Sequence, residues 1–281
     1  MNRQLLIVTG KGGVGKSAVT AALAVDAARR GLRVLAIGMV EGQGLAGHLG
    51  VEKLTYQPAE VRPGIFAMAI NRPAALDEYL RLQLHVPKFS RIGPIARAFD
   101  ALASAAPGIR ETVTMGKVLF EARTREWDLV VADAPPSGQI GSHLRAPRTI
   151  SDLVGAGRVR EQTRWMEEWL NDPVKTGLVI VSTAEELPAI ETVETLAWLE
   201  HEQVVDVASV ITNRTLEPLG ASVPADVSAP IGAAAALHDG IFHEQQRWLA
   251  TLPDGPRLPY LFGVTGPVEV TERLADVLEE R

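Results

Sequence analysis

Gly10-Lys11-Gly12-Gly13-Val14-Gly15-Lys16-Ser17 lies near the start of a 281-residue chain, between an apolar run at 4–9 and an alanine-rich stretch at 17–30. Two glycines separated by four residues and followed by Lys and Ser make the phosphate-loop pattern. Each residue type has a physical reason. Glycines let the backbone curl until successive N–H groups face phosphate oxygens, and the following helix adds the positive end of its dipole. In this pattern Lys16 reaches the β- and γ-phosphates and the Ser17 hydroxyl ligates Mg²⁺. A glycine-rich turn that merely enters a helix would not require the strand before it or the Lys-Ser pair at its end. The expected phosphate contacts are Gly10, Lys11, Gly12, Gly13, Val14, Gly15, Lys16, Ser17 and Ala18.

Working outward, short β-branched runs at 4–9, 33–39, 65–70, 128–133, 178–182, 207–212 and 257–261 read as strands. Helical patterns lie between them at 17–30, stopped by Gly31, and at 187–203, 233–252 and 268–280. This alternation predicts an α/β fold with a mostly parallel sheet and helices on both faces. The run Asp128-Leu-Val-Val-Ala-Asp133 suits a strand buried on both sides. Residues 73–126 and 148–170 break the alternation and are expected to form one helical subdomain inserted within a single domain spanning 1–281.

Composition narrows the function. The chain is 46% hydrophobic, has no cysteine and carries a formal net charge of −6. Without cysteine there is no disulfide framework, thiolate zinc site, iron–sulfur ligation or thiol nucleophile. The acidic balance argues against nucleic acid as a main partner. No run reaches the roughly 18 apolar residues of a spanning helix, and no signal peptide is visible, so a cytoplasmic protein is expected. The six histidines show no ligand spacing and are expected to be structural or solvated.

The second lysine of the loop, Lys11, is not specified by the ordinary pattern. With it, the segment resembles the deviant Walker A form, Lys-Gly-Gly-x-Gly-Lys-Ser/Thr. That form is shared by the arsenical-pump ATPases, the tail-anchored-protein-targeting ATPases, the septum-site and partition ATPases and the nitrogenase iron protein. Asp133-Ala-Pro-Pro-Ser-Gly-Gln139 resembles the Asp-Thr-Ala-Pro-Thr-Gly-His switch of the arsenical-pump and targeting branch. Pro147, the stretches 75–80 and 107–111, and Asn213-Arg214 after a strand add smaller matches across the chain. The chain is identified as a member of that branch, near the anion-transporting-ATPase-like paralogues of actinobacteria.

The resemblance implies a P-loop NTPase fold that binds ATP or ADP with Mg²⁺ held by Ser17 and Asp133. It implies Lys11 acting in trans across a dimer, either a homodimer or a heterodimer with a paralogous ATPase. It also implies that nucleotide state moves the helical subdomain against a protein client or partner. An asparagine amide offers the donor and acceptor that an adenine edge needs, so Asn213, flanked by Arg214, is the expected base reader; a turn-initiating asparagine is the other reading. The turn at 259–262 is a further base-contact candidate.

Further features are weighed against this family. After the strand at 33–39, relatives carry an aspartate that orients the attacking water, and here Val40 takes its place. Glu41 or Gln43, freed by Gly42 and Gly44, are the candidates to replace it, which makes slow hydrolysis the expectation. The alternative is a catalytically weak subunit that regulates a paralogue; a small-molecule enzyme on the same loop is disfavoured because no substrate motif appears. The lack of cysteine excludes the cluster, metalloid and zinc-clamp branches, and the acidic end at 268–281 reads as a packed surface helix rather than a membrane anchor. Trp165, Met166 and Trp169 read either as a client groove or as core packing.

Overall fold

The computed structural model describes residues 3–40, 43–84, 108–153, 156–220 and 228–280. In chain order the elements are β1 (Leu5–Thr9), α1 (Lys16–Arg29), β2 (Val34–Gly38), α2 (Gln43–Leu49), β3 (Ala59–Arg62), β4 (Ile65–Ala69), α3 (Arg72–Leu84) and α4 (Ile109–Arg123). There follow β5 (Leu129–Asp133), α5 (Ser137–Leu153), α6 (Arg158–Asn171), β6 (Thr176–Thr183), α7 (Glu186–Glu202), β7 (Val207–Thr215), α8 (Ala229–Leu249), β8 (Arg257–Pro259) and α9 (Pro267–Glu279). One eight-stranded sheet has the order β3-β4-β2-β5-β1-β6-β7-β8. Among the described residues only β3 runs antiparallel to its neighbour. The seven strands read from sequence are all present; β3 was not read.

Period-two alternation assigns each strand residue to one face of the sheet. Leu5, Ile7, Leu35, Ile37, Val130, Ala132, Leu178 and Ile180 point into one core, shared with Met115 and Leu119 of α4, Ile140 of α5, Met166 and Leu170 of α6, and Leu199 of α7. Leu6, Val8, Val34, Ala36, Val131, Val179 and Val181 point into the other, filled by α1, by Leu45 and Leu49 of α2, and by Leu274, Ala275 and Leu278 of α9. With both faces covered, the central strands read as unbroken apolar runs. Met166 is buried, and Trp165 and Trp169 pack against the same cluster, so that helix face is core.

The small side chains of α1 let it lie close to the sheet, and Ala18 to Ala27 are buried. The acidic face of α9 lies against it, with Arg29 meeting Glu272, Asp276 and Glu279. Among the described residues no helix is long and apolar enough to cross a membrane.

Register then positions the chemistry. Val8 of β1 and Gly38 of β2 both lie opposite Asp133 at the end of β5. Thr9 lies opposite Ile180 of β6, and Thr183 opposite Asn213 of β7. The carboxyl ends of β1, β2, β5, β6 and β7 therefore bring their loops to one edge, where ligands bind in open α/β sheets.

The two kinds of contact on α9 separate by size. Leu274→Ala should lower unfolding free energy by about 2–5 kcal/mol through the cavity it leaves. Glu279→Ala, which removes one exposed partner of Arg29, should cost less than about 1 kcal/mol. Denaturant titration of the two variants checks the order; equal losses would contradict the packing described.

Candidate functional site

The loop from Gly10 to Gly15 leaves β1 and turns into α1 on glycines that no other residue replaces. Gly10 has φ 146° and Gly15 φ 95°, both in the region that disfavours side chains. A Cβ on Gly10 would collide with the Val181 carbonyl, and one on Gly15 with the Asn213 amide. Main chain and side chains hold the curl from outside. Ser137 N donates to the Gly10 carbonyl at 3.1 Å. Asn213 Nδ2 donates to the Val14 carbonyl at 2.9 Å, and Lys16 Nζ to the Lys11 carbonyl at 3.2 Å. Gly15, the N-cap of α1, has no side chain with which to cap the helix start. The first N–H groups of the helix thus remain directed at the space inside the loop, as an anion site requires.

Behind the loop stands Asp133. Ser17 Oγ donates to Asp133 Oδ2 at 2.6 Å. Burial pushes the Asp133 carboxyl above its usual range, opposed by the Ser17 hydrogen bond and the charge of Lys16. Burial likewise pulls Lys16 below its usual range, opposed by Asp133 and Glu191. One hydroxyl and one carboxylate are hard oxygen donors suited to Mg²⁺, which keeps waters and takes substrate phosphates for its other positions. Among the described residues no group of three or more His, Asp or Glu could hold a metal alone, so an ion at Ser17 and Asp133 would depend on such added oxygens.

The segment after Asp133 is tied to β1: Ala134 N donates to the Val8 carbonyl at 2.9 Å and Thr9 Oγ1 to the Pro135 carbonyl at 2.7 Å. α5 then starts at Ser137. Lys11 does not extend away from the chain. Its Nζ lies 2.6 Å from Glu191 Oε2 on α7, and the Ser137 hydroxyl donates to Glu191 Oε1. Burial pushes Glu191 up, but the hydrogen bonds from Lys11 and Ser137 and the two lysine charges outweigh it, so its carboxyl lies below its usual range.

The other expected residues divide. Lys11, Lys16, Ser17 and Asp133 are brought together. Asn213 sits at the end of β7 beneath the loop, and both ends of its amide meet main chain: Nδ2 the Val14 carbonyl, Oδ1 the Arg214 N–H at 2.9 Å. It is a buried strut of the loop, a role in addition to the adenine contact expected of it. Arg214 adopts φ 58° and is exposed. Tyr260 and Phe262 pack with their rings tilted and centroids 4.7 Å apart, exposed beyond β8. Val40 is half exposed at the end of β2. Glu41 and Gly42 lie outside the described residues, as does the Gln43 side chain at the start of α2. α2 nevertheless returns close to the site, since a Cβ on Gly44 would stand 3.0 Å from Ser17 Oγ.

Glu191 was not read from sequence. It is 180 residues from Lys11, and an acid on a helix surface carries no signal of which loop it faces.

Residues 3–164 match the family model described as anion-transporting ATPase. The ATPase BagA of Mycobacterium tuberculosis is 32% identical over 255 residues, covering 85% of this chain and 74% of the relative. An arsenical pump-driving ATPase of Acidiphilium multivorum is 26% identical over 277 residues, covering 89% of this chain and 44% of the relative. The ATPase GET3 of Mycosarcoma maydis is 23% identical over 248 residues, covering 76% of this chain and 73% of the relative.

The raised Asp133 carboxyl makes a stability prediction. An acid whose folded pKa is raised keeps its proton longer in the folded than in the unfolded chain. Stability therefore falls as pH rises from the unfolded carboxylate range through the folded value, and stays reduced at neutral pH. Asp133→Asn should stabilise the ligand-free protein at neutral pH by up to about 1 kcal/mol, with the gain shrinking in acid. Urea titrations at the two pH values check it; a variant less stable than wild type at neutral pH would contradict it.

Proposed function

This chain belongs to the anion-transporting ATPase family, and on that premise we propose that it is a magnesium-dependent ATPase working as a dimer, in which nucleotide state moves a protein client or partner. The observation that carries the reading is the convergence of the uncapped start of α1, Lys16 and the 2.6 Å Ser17–Asp133 pair at one sheet edge. The chemistry that bound Mg²⁺ and ATP supply is a charge-compensated triphosphate with a cleavable terminal anhydride.

The chain's own residues divide the remaining work. Main-chain N–H groups from Gly12 to Ala18 donate to the phosphate oxygens, and Lys16 compensates their charge. Ser17 and Asp133 would hold Mg²⁺, the hydroxyl through an oxygen lone pair and the carboxylate by accepting from the ion's hydration shell. Asn213 keeps one amide N–H on Val14 and offers its second to the adenine, with Arg214 alongside. Lys11 crosses to the partner protomer, as the family resemblance implies. The segment from Asp133 to Gln139 passes phosphate occupancy to the helices of 73–126 and 148–170, the proposed moving part. The proposed setting is the cytoplasm.

Val40 cannot accept a hydrogen bond, so Glu41 or Gln43 orients the attacking water. Complete loss of such a group typically costs about 10²–10⁴ in rate, and a substitute from a neighbouring position recovers part of it, so turnover is slow. Val40 also favours the second reading, a nucleotide-binding subunit that regulates a paralogous ATPase. Purified protein should hydrolyse ATP slowly but measurably above Lys16→Ala, which should lose binding and turnover together. Glu41→Ala should lower turnover with binding kept, and Lys11→Ala should lose nucleotide-dependent dimerisation. ATP binding with turnover no higher than Lys16→Ala would favour the regulatory subunit; no ATP binding at all would overturn both readings.

A further inference from the structure

We infer that Glu191 is a positioning residue that holds Lys11 on its own chain and links it to the segment following Asp133. The geometry is a three-group cluster built from three distant parts of the sequence. Lys11 comes from the phosphate loop, Ser137 from the start of α5, and Glu191 from α7. One carboxylate oxygen of Glu191 takes the Lys11 ammonium at 2.6 Å, and the other accepts from the Ser137 hydroxyl. Ser137 is itself fastened to the loop, its main-chain N–H on the Gly10 carbonyl. A movement of the segment after Asp133 therefore disturbs both oxygens of the carboxylate that restrains Lys11.

The strength of the contact suits a reversible latch. The Lys11 and Glu191 side chains are 34% and 27% exposed, so water screens the pair and its net worth is small. A pin buried in the core would hold Lys11 permanently; this one yields to a stronger competing charge. There is also room to move. Lys11, Ser137 and Glu191 are among the residues that line a groove of about 1020 Å³ bounded by α5, α7 and the start of α4. An ammonium engaged with Glu191 is not reaching toward a partner, so Glu191 sets when Lys11 becomes available. The inference rests on the proposed function only for what Lys11 does once released; the cis contact is a property of the chain alone.

The test reads Lys11 directly in the full-length protein without nucleotide. An amine-reactive label is applied for short times and the modification of Lys11 is followed by mass spectrometry, with Lys53 as the internal standard. Glu191→Gln keeps an oxygen for Ser137 but removes the charge, and should raise the Lys11 labelling rate about two- to fivefold, the range set by a solvent-screened ion pair. Ser137→Ala should raise it by a smaller factor, while thermal unfolding of both variants stays near wild type. An unchanged Lys11 rate in Glu191→Gln would overturn the latch, and an unchanged rate in Ser137→Ala would overturn its link to the segment after Asp133. Calorimetric titration of wild type with Mg-ATP tests the proposed function separately: absence of binding there would remove that reading and leave the labelling result standing.

Discussion

Asp133 is half-buried at the end of β5 with the Ser17 hydroxyl on one oxygen and Lys16 nearby, and the fold bears the cost of keeping a carboxylate there. A buried acid without a full complement of partners destabilises a protein unless something else compensates its charge. The rest of the edge is arranged around that position. Parallel register ends β1 and β2 level with Asp133. The glycines then curl the loop so that its N–H groups and the start of α1 face the same small volume. Cation-seeking oxygens behind and anion-seeking amides in front describe a site for a metal-bound polyanion, in keeping with the family to which the chain belongs.

Lys11 completes the picture of a resting state. The two lysines of the loop have different surroundings: Lys16 is drawn into the site, with its amine on the Lys11 carbonyl, whereas Lys11 is directed sideways to α7. Glu191 serves both, since its charge also favours the ammonium of Lys16. A single acid thus stands between the loop that would grip phosphate and the helix that would report it. In the proposed function this gives the chain a closed, self-contained form before nucleotide arrives.

Much of the fold was legible because its causes are local. β-branched runs buried on both faces and the helices between them identify the central sheet without any tertiary information. The phosphate loop and Asp133 were legible because their chemistry demands particular residues at fixed spacing. β3 was missed because Ala59-Glu60-Val61-Arg62 is an edge strand, exposed or half-exposed at every residue, with no apolar run to signal it. Asn213 was read for what an amide offers a base; its further use as a strut under Val14 was not legible, because it depends on β7 lying beneath the loop, a juxtaposition 199 residues apart in sequence. Trp165 and Trp169 left groove and core open, and the choice between them rested on how α6 meets the sheet. Glu191 belongs to the same class, being decided by long-range packing alone.

The central claim is that the loop, Ser17 and Asp133 form one metal–nucleotide site. The most direct measurement is a crystal structure of the full-length protein grown with Mg²⁺ and a non-hydrolysable ATP analogue. The account predicts the triphosphate inside the loop from Gly10 to Ala18, the metal beside Ser17 and Asp133 with their mutual hydrogen bond broken, and Lys11 withdrawn from Glu191. A nucleotide bound elsewhere, or one in the loop with the Ser17–Asp133 hydrogen bond intact and no metal beside it, would contradict the account.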